Sequence, residues 1–110
     1  MPKQRIHIER VFHALGDPTR CAVVERLSRG PAGVSELAGK FSMALPSFTQ
    51  HLGVLEKSGI VRSQKKGRVR TYYLVPEQLR TAQGWLKEQR KMWEKRLDQL
   101  DNYLLTLKEK

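Results

Sequence analysis

The stretch Ser58-Gly59-Ile60-Val61-Arg62-Ser63-Gln64-Lys65-Lys66-Gly67-Arg68-Val69-Arg70-Thr71-Tyr72-Tyr73-Leu74-Val75 is where the periodicity of the chain changes. Residues 60–64 and 69–75 are short runs with β-branched and aromatic side chains, which suit a pleated strand better than a helix. Lys65-Lys66-Gly67-Arg68 lies between them. Gly67 can adopt the positive φ that a tight hairpin turn demands. The stretch therefore predicts a β-hairpin with a basic tip, and the sequence on either side of it reads as helix.

Upstream, the helices are short and clearly punctuated. Ile8, Val11, Phe12 and Leu15 recur at helical spacing over residues 5–15, and Gly16 stops the run. Asp17-Pro18 restarts it as an N-cap followed by a proline at the first helical position. Val23, Val24 and Leu27 are the buried stripe of this second helix, which Gly30-Pro31 ends. Val34, Leu37, Ala38 and Phe41 mark a short third helix, with Glu36 in its first turn to favour the dipole. A tight connection, Ser42-Met43-Ala44, leads to a fourth helix that begins near Pro46. Its stripe is Phe48, Leu52 and Leu55, and Ser58-Gly59 closes it. Gly53 sits inside that helix at a cost of about 1 kcal/mol against alanine, and nothing in the sequence explains it.

Downstream, Leu79, Leu86, Trp93, Leu100 and Leu107 fall every seven residues, and Gln83, Arg90, Leu97 and Leu104 fill the alternate positions. This is a heptad seam, with Gly84 its one interruption. A helix over 77–108 would be on the order of 45 Å long, too long to bury against a small domain alone. The seam therefore predicts dimerisation through Leu86, Trp93, Leu97, Leu100, Leu104 and Leu107. The competing expectation is a stripe that packs only on its own domain. Arg90 on the seam needs an acidic partner, expected from the other chain.

The chain of 110 residues has room for one domain, and a hydrophobic fraction of 39% supports a packed core. Its formal net charge is +10. Between Lys40 and Val75 stand Lys40, Lys57, Arg62, Lys65, Lys66, Arg68 and Arg70 against the single acid Glu56, so +6 of the +10 is concentrated in one third of the chain. From Lys87 onward the signs nearly balance. Such a distribution indicates one docking face for a polyanion rather than a generally basic surface. No apolar run approaches membrane-spanning length, no signal-peptide stretch follows the basic start, and Cys21 is the only cysteine. These features predict a cytoplasmic protein without membrane association. No Ser-His-acid set, phosphate loop or recognisable carboxylate pair is present, so an enzyme is not expected.

Two short helices, a tight connection and a basic hairpin make a winged helix-turn-helix. The expected architecture is mainly α with a small β-hairpin, a single domain over 1–110 with a DNA-binding core at 5–75 and a dimerising C-terminal helix at 77–108. A helix fits the major groove of double-stranded DNA, and a basic hairpin can lie along the adjacent backbone or minor groove.

Several stretches resemble the ArsR family of bacterial repressors: Ala14-Leu15-Gly16-Asp17-Pro18-Thr19-Arg20, then Ser35-Glu36-Leu37-Ala38, then His51-Leu52 with Leu55-Glu56-Lys57-Ser58-Gly59-Ile60-Val61, and Gly67-Arg68 followed by Tyr72. The tail, with Trp85-Leu86, Trp93, Arg96-Leu97 and Tyr103-Leu104, resembles a metal-independent branch of that family. The resemblance implies a homodimer built by the first and last helices, which adds Ile8, Phe12 and Leu15 to the interface. It also implies binding to an inverted repeat in a promoter, often with autoregulation.

Base-edge contacts are assigned to Leu45, Ser47, Thr49, Gln50 and His51, backbone or minor-groove contacts to the wing tip Lys65, Lys66 and Arg68, and a further DNA contact to Arg70. Gln50 can pair bidentately with adenine and Leu45 can meet a thymine methyl. Leu45 and Gln50 replace the Arg or Lys common in this branch, which lowers phosphate attraction. Metal sensors of the family often carry a Cys-x-Cys in the third helix, or Asp and His pairs in the last. Here Val34-Ser35-Glu36-Leu37 has no cysteine and the last helix no histidine. His7 and His13 do not share a helical face, so neither a metal nor another cofactor is expected. One Cys21 per chain could form only an intersubunit or mixed disulfide, and its plainer role is packing. Alternatives are a metal- or redox-gated sensor of the same fold and a protein-interaction module using the long helix. No residue pattern designates a small-molecule effector.

Overall fold

A computed structural model describes residues 3–109, with side chains from Ile8 onward. Five helices and three strands follow in the order α1 (Lys3–Leu15), α2 (Pro18–Leu27), β1 (Ala32–Gly33), α3 (Val34–Ala38), α4 (Leu45–Lys57), β2 (Val61–Lys66), β3 (Val69–Leu74) and α5 (Pro76–Lys108). Local chemistry sets the boundaries. Asp17 caps α2 by accepting the backbone N–H of Arg20 at 3.1 Å, satisfying one of the orphan donors of a helix start. Gly59, with φ of +82°, turns the chain out of α4 and into β2.

The core lies where α1, α2, α3 and α4 meet the sheet. Val11, Val23, Leu37, Phe48, Leu52, Leu55, Ile60 and Val61 are all fully buried there. Phe41 packs on Phe48 with ring centroids 5.3 Å apart, which ties the turn between α3 and α4 to the first turn of α4. At about 1.5–3 kcal/mol for each large apolar side chain removed from water, this cluster is the main favourable term for the winged region.

The sheet has three strands in the antiparallel order β1-β3-β2. The sequence predicts only the last two, because β1 is two residues long and too short to show alternation. Ala32 pairs with Tyr72 and Gly33 with Thr71, so β1 covers the edge of β3 that the hairpin would otherwise leave open. The basic tip also differs from expectation. Lys65 and Lys66 belong to β2, paired with Arg70 and Val69, and the turn is only Gly67-Arg68. Gly67 has φ of +62° and no described non-glycine residue has positive φ, the pattern of a two-residue turn with glycine first.

Helix α5 has 33 residues, about 50 Å at the usual rise, and the described chain extends 74 × 35 × 22 Å. Its first turns belong to the winged region: Ala82 is buried, Leu79 packs on the core, and Trp85 meets Phe12 edge-on at 5.5 Å. From Lys87 to Glu109 every side chain except that of Gln89 is exposed. No described helix is long and apolar enough to cross a membrane.

Candidate nucleic-acid interface

Helix α4 buries Phe48, Leu52 and Leu55 and turns the opposite side outward. Leu45, Ser47, Thr49 and Gln50 are all exposed, on the N-terminal half that enters a groove in helix-turn-helix docking. Leu45 is 55% exposed, an apolar side chain held in water. Thr49 is less free. Its hydroxyl is turned back to the carbonyls of Pro46 at 2.9 Å and Leu45 at 3.1 Å, so it is already engaged within the helix.

His51 is placed differently from its expected neighbours. It is half-buried, and its Nδ1 accepts a hydrogen bond from Nη1 of Arg20 at 2.9 Å. An arginine only donates, so the ring proton of the neutral histidine resides on Nε2. Asp17 Oδ2 lies 3.7 Å from the same Nδ1. His51 lies one turn on from Ser47, but its ring Nδ1 is turned to the start of α2, where Arg20 captures it.

Arg20 closes the family-like stretch that begins at Ala14, yet the sequence assigns it no task. Its Nε donates to the carbonyl of Ala14 at 2.6 Å and its Nη2 to that of His13 at 3.2 Å. It thus satisfies two carbonyls at the end of α1 while holding α4 through His51. Asp17 has its carboxyl held below the usual range, first by the Arg20 backbone N–H and then by nearby positive charge. Cys21 lies beside this cluster with its thiol donating to the Leu15 carbonyl at 2.9 Å, a packing and capping arrangement.

The wing is joined to α4 by a polar relay. Arg70 Nη1 donates to Ser63 Oγ at 2.8 Å, and the Ser63 hydroxyl donates to Glu56 Oε2 at 3.0 Å. Glu56, the one acid of the basic stretch, fixes the base of the hairpin against the end of α4. Burial, followed by the charge of Glu56, raises the Tyr72 phenol above its ordinary range. Lys65, Lys66, Arg68 and Arg70 are all exposed, so the wing offers four cations beside the exposed face of α4. The other end of the helix pair is held by Arg26, which bridges Glu36 at 2.7 Å and the Gly30 carbonyl at 3.0 Å.

The expected dimer residues divide. Leu86, Trp93, Leu97, Leu100, Leu104 and Leu107 are each about half exposed or more. Ile8 is already buried in its own chain, and Phe12 and Leu15 pack on the same core. The first helix therefore has less apolar surface to offer a second copy than its sequence stripe suggests. Arg90 finds its carboxylate within the helix, on Glu94 at 3.7 Å. Among the described residues, no three His, Cys, Asp or Glu side chains stand together as metal ligands would.

A short helix pair, an exposed reading helix and an adjoining basic wing define a winged helix-turn-helix regulator of the DNA-binding class. Comparison with known proteins gives its family. Residues 15–64 match the model of a helix-turn-helix domain. The chain is 53% identical to the ArsR family transcriptional regulator RHA00566, whose crystal structure it matches with a TM-score of 0.77 over 80% of this chain and 97% of that one. It is 43% identical over 68 residues to the HTH-type transcriptional regulator Rv2034 of Mycobacterium tuberculosis, covering 62% of this chain and 64% of that protein. It is 28% identical to the transcriptional repressor SdpR of Bacillus subtilis, over 72% of this chain and 88% of SdpR. The chain belongs to the ArsR family of transcriptional regulators.

Proposed function

We propose that this regulator is a repressor that binds an inverted-repeat operator as a homodimer and acts by occupying DNA rather than by catalysis. Each chain works as one unit in the cytoplasm, with residues 5–75 reading DNA and 77–108 pairing the two copies. Leu45, Ser47 and Gln50 read base edges, Thr49 lends its methyl, and Lys65, Lys66, Arg68 and Arg70 hold the backbone. His51 supports the helix from behind and reaches no further than a phosphate. The observation that carries this reading is the conjunction of an outward-facing Leu45, Ser47 and Gln50 with four exposed cations on the neighbouring hairpin. The two recognition helices of such a dimer would stand about one DNA turn apart, ~34–36 Å.

Release does not run through a metal in this reading, since neither the third nor the last helix supplies thiolates or imidazoles. Footprinting on the DNA upstream of the chain's own gene tests the proposal. Two protected half-sites related by a dyad are expected. Uniform protection that tracks only DNA length would overturn sequence-specific repression.

A further inference from the structure

Two glycines interrupt helices with open space around them. A Cβ built on Gly53 in α4 or on Gly84 in α5 would meet no atom within 4 Å. Neither has the positive φ that requires glycine. Within the chain, then, each gives up helix stability for no packing return. Their surroundings differ. Gly84 is flanked one helical turn away by Arg80, Thr81, Lys87 and Glu88, on the side of α5 away from the apolar seam. Gly53 lies in line with Thr49 and Lys57, four residues to either side, and three residues from Gln50. All three neighbours are exposed. The bare backbone of Gly53 is thus the middle of the outward face of α4, between a proposed base-reading segment and a lysine.

We propose that Gly53 is the point where the sugar–phosphate wall of the major groove closes on α4, and that its missing side chain sets how deeply the helix seats. The inference rests on the reading of α4 as the recognition helix. A side chain here would stand between helix and DNA, with Lys57 on one side and Thr49 on the other, and would lift the reading residues away from the bases. This explains a residue that the folded chain alone does not require, and Gly84 is its internal control.

The test compares wild type, Gly53→Ala, Gly53→Leu and Gly84→Ala as full chains. The probes are a duplex enriched by the wild type from a random-sequence pool and a scrambled duplex of equal length. Both alanine variants should melt at or above wild type, because both remove a helical glycine from open space. Gly84→Ala should bind the enriched duplex as wild type does. Gly53→Ala should bind it roughly tenfold more weakly, the scale of one disturbed base position per site, and Gly53→Leu more weakly still. Equal affinity of Gly53→Ala and wild type overturns the proposal. So does a lowered melting point for Gly53→Ala, which would mean the space is used within the chain. A changed mass in light scattering for either Gly53 variant also overturns it, by giving the space to a second copy. If the wild type itself fails to distinguish the two duplexes, the recognition-helix reading fails first and the proposal falls with it.

Discussion

The winged region and the distal half of α5 contain similar apolar residues and treat them in opposite ways. Phe48, Leu52, Leu55 and Ile60 have no exposed surface at all, whereas Leu86, Leu97, Leu100 and Leu104 are each 50–52% exposed and Trp93 is 61% exposed. The first set completes its packing within one chain. The second keeps a strict seven-residue order with nothing against it. A row of half-exposed leucines at that repeat is hard to justify in water as a solvated helix, and it is what a facing helix would cover. The molecule thus has one region that covers its apolar side chains within the single chain and one that leaves them uncovered.

The largest effect should come from the core. Phe48→Ala removes a fully buried ring that also contacts Phe41. It should destabilise the winged region by about 3–5 kcal/mol, a large share of the stability of a small domain. Denaturant unfolding followed by circular dichroism measures this. A loss under about 1 kcal/mol would mean the core collapses around the gap, and the contrast between the two regions would weaken.

Next comes the seam. Leu97→Asp with Leu104→Asp places charge on two residues that touch nothing buried in their own chain. The winged region should keep its fold, while light scattering should report a mass near the 12.7 kDa of one chain. Operator affinity should fall toward non-specific strength, a drop on the order of 10³-fold. A variant that remains dimeric and binds normally would show that the stripe does not build the dimer. The first helix would then have to, despite having already buried Ile8.

These two regions also differ in how legible they are in the sequence. Punctuation is local: Gly16, Asp17-Pro18, Pro46 and Gly59 each act on backbone within a few residues, so helix boundaries are legible. The heptad is legible because the seam repeats over several turns. What stays hidden depends on contacts between distant residues. Strand β1 exists because Tyr72 and Thr71 offer an edge to Ala32 and Gly33, and two residues show no alternation. His51 looks like a member of the reading face until Arg20, 31 residues away, takes its Nδ1. Lys65 and Lys66 look like a loop until the register assigns them to β2. Ile8 looks available but is already buried in its own chain, and Phe12 looks available until Trp85 and the core cover it.

The wing sharpens the comparison in a third way, since it is folded by the single chain yet leaves its cations exposed. Replacing Lys65, Lys66 and Arg68 by alanine touches exposed cations that make no hydrogen bond among those described. Stability should change by less than about 0.5 kcal/mol. Affinity for every DNA sequence should fall alike, with the slope of log K against log salt reduced by roughly one unit for each phosphate that is no longer neutralised. Fluorescence anisotropy titrations at several salt concentrations measure the slope. An unchanged slope would place the wing away from the phosphates.

The smallest expected effect lies at the joint between α1, α2 and α4, and it depends on pH. The Asp17 carboxyl is held below its ordinary range, mainly because it accepts the Arg20 backbone N–H and secondarily because of the positive charge of the Arg20 guanidinium nearby. A carboxylate whose folded pKa is depressed binds its proton less readily in the folded chain than in the unfolded one. Its contribution is therefore fully present above the unfolded value of 3.8 and is lost as pH falls through the lower folded value. Glu36 behaves in the same sense, held down first by its hydrogen bond from Arg26, so wild type should lose stability from both groups on the acid side. Asp17→Asn isolates one of them, because asparagine can still cap the helix but carries no charge. At neutral pH the variant should melt slightly below wild type. The gap should close as pH falls past the carboxylate range, where Asp17 is itself uncharged, while the contribution of Glu36 is lost in both proteins alike. Melting curves from pH 7 down to about 3 decide the matter. A gap that stays constant over that range would mean that Asp17 acts through cap geometry alone. The charge it holds beside His51 would then contribute nothing to joining α2 and α4.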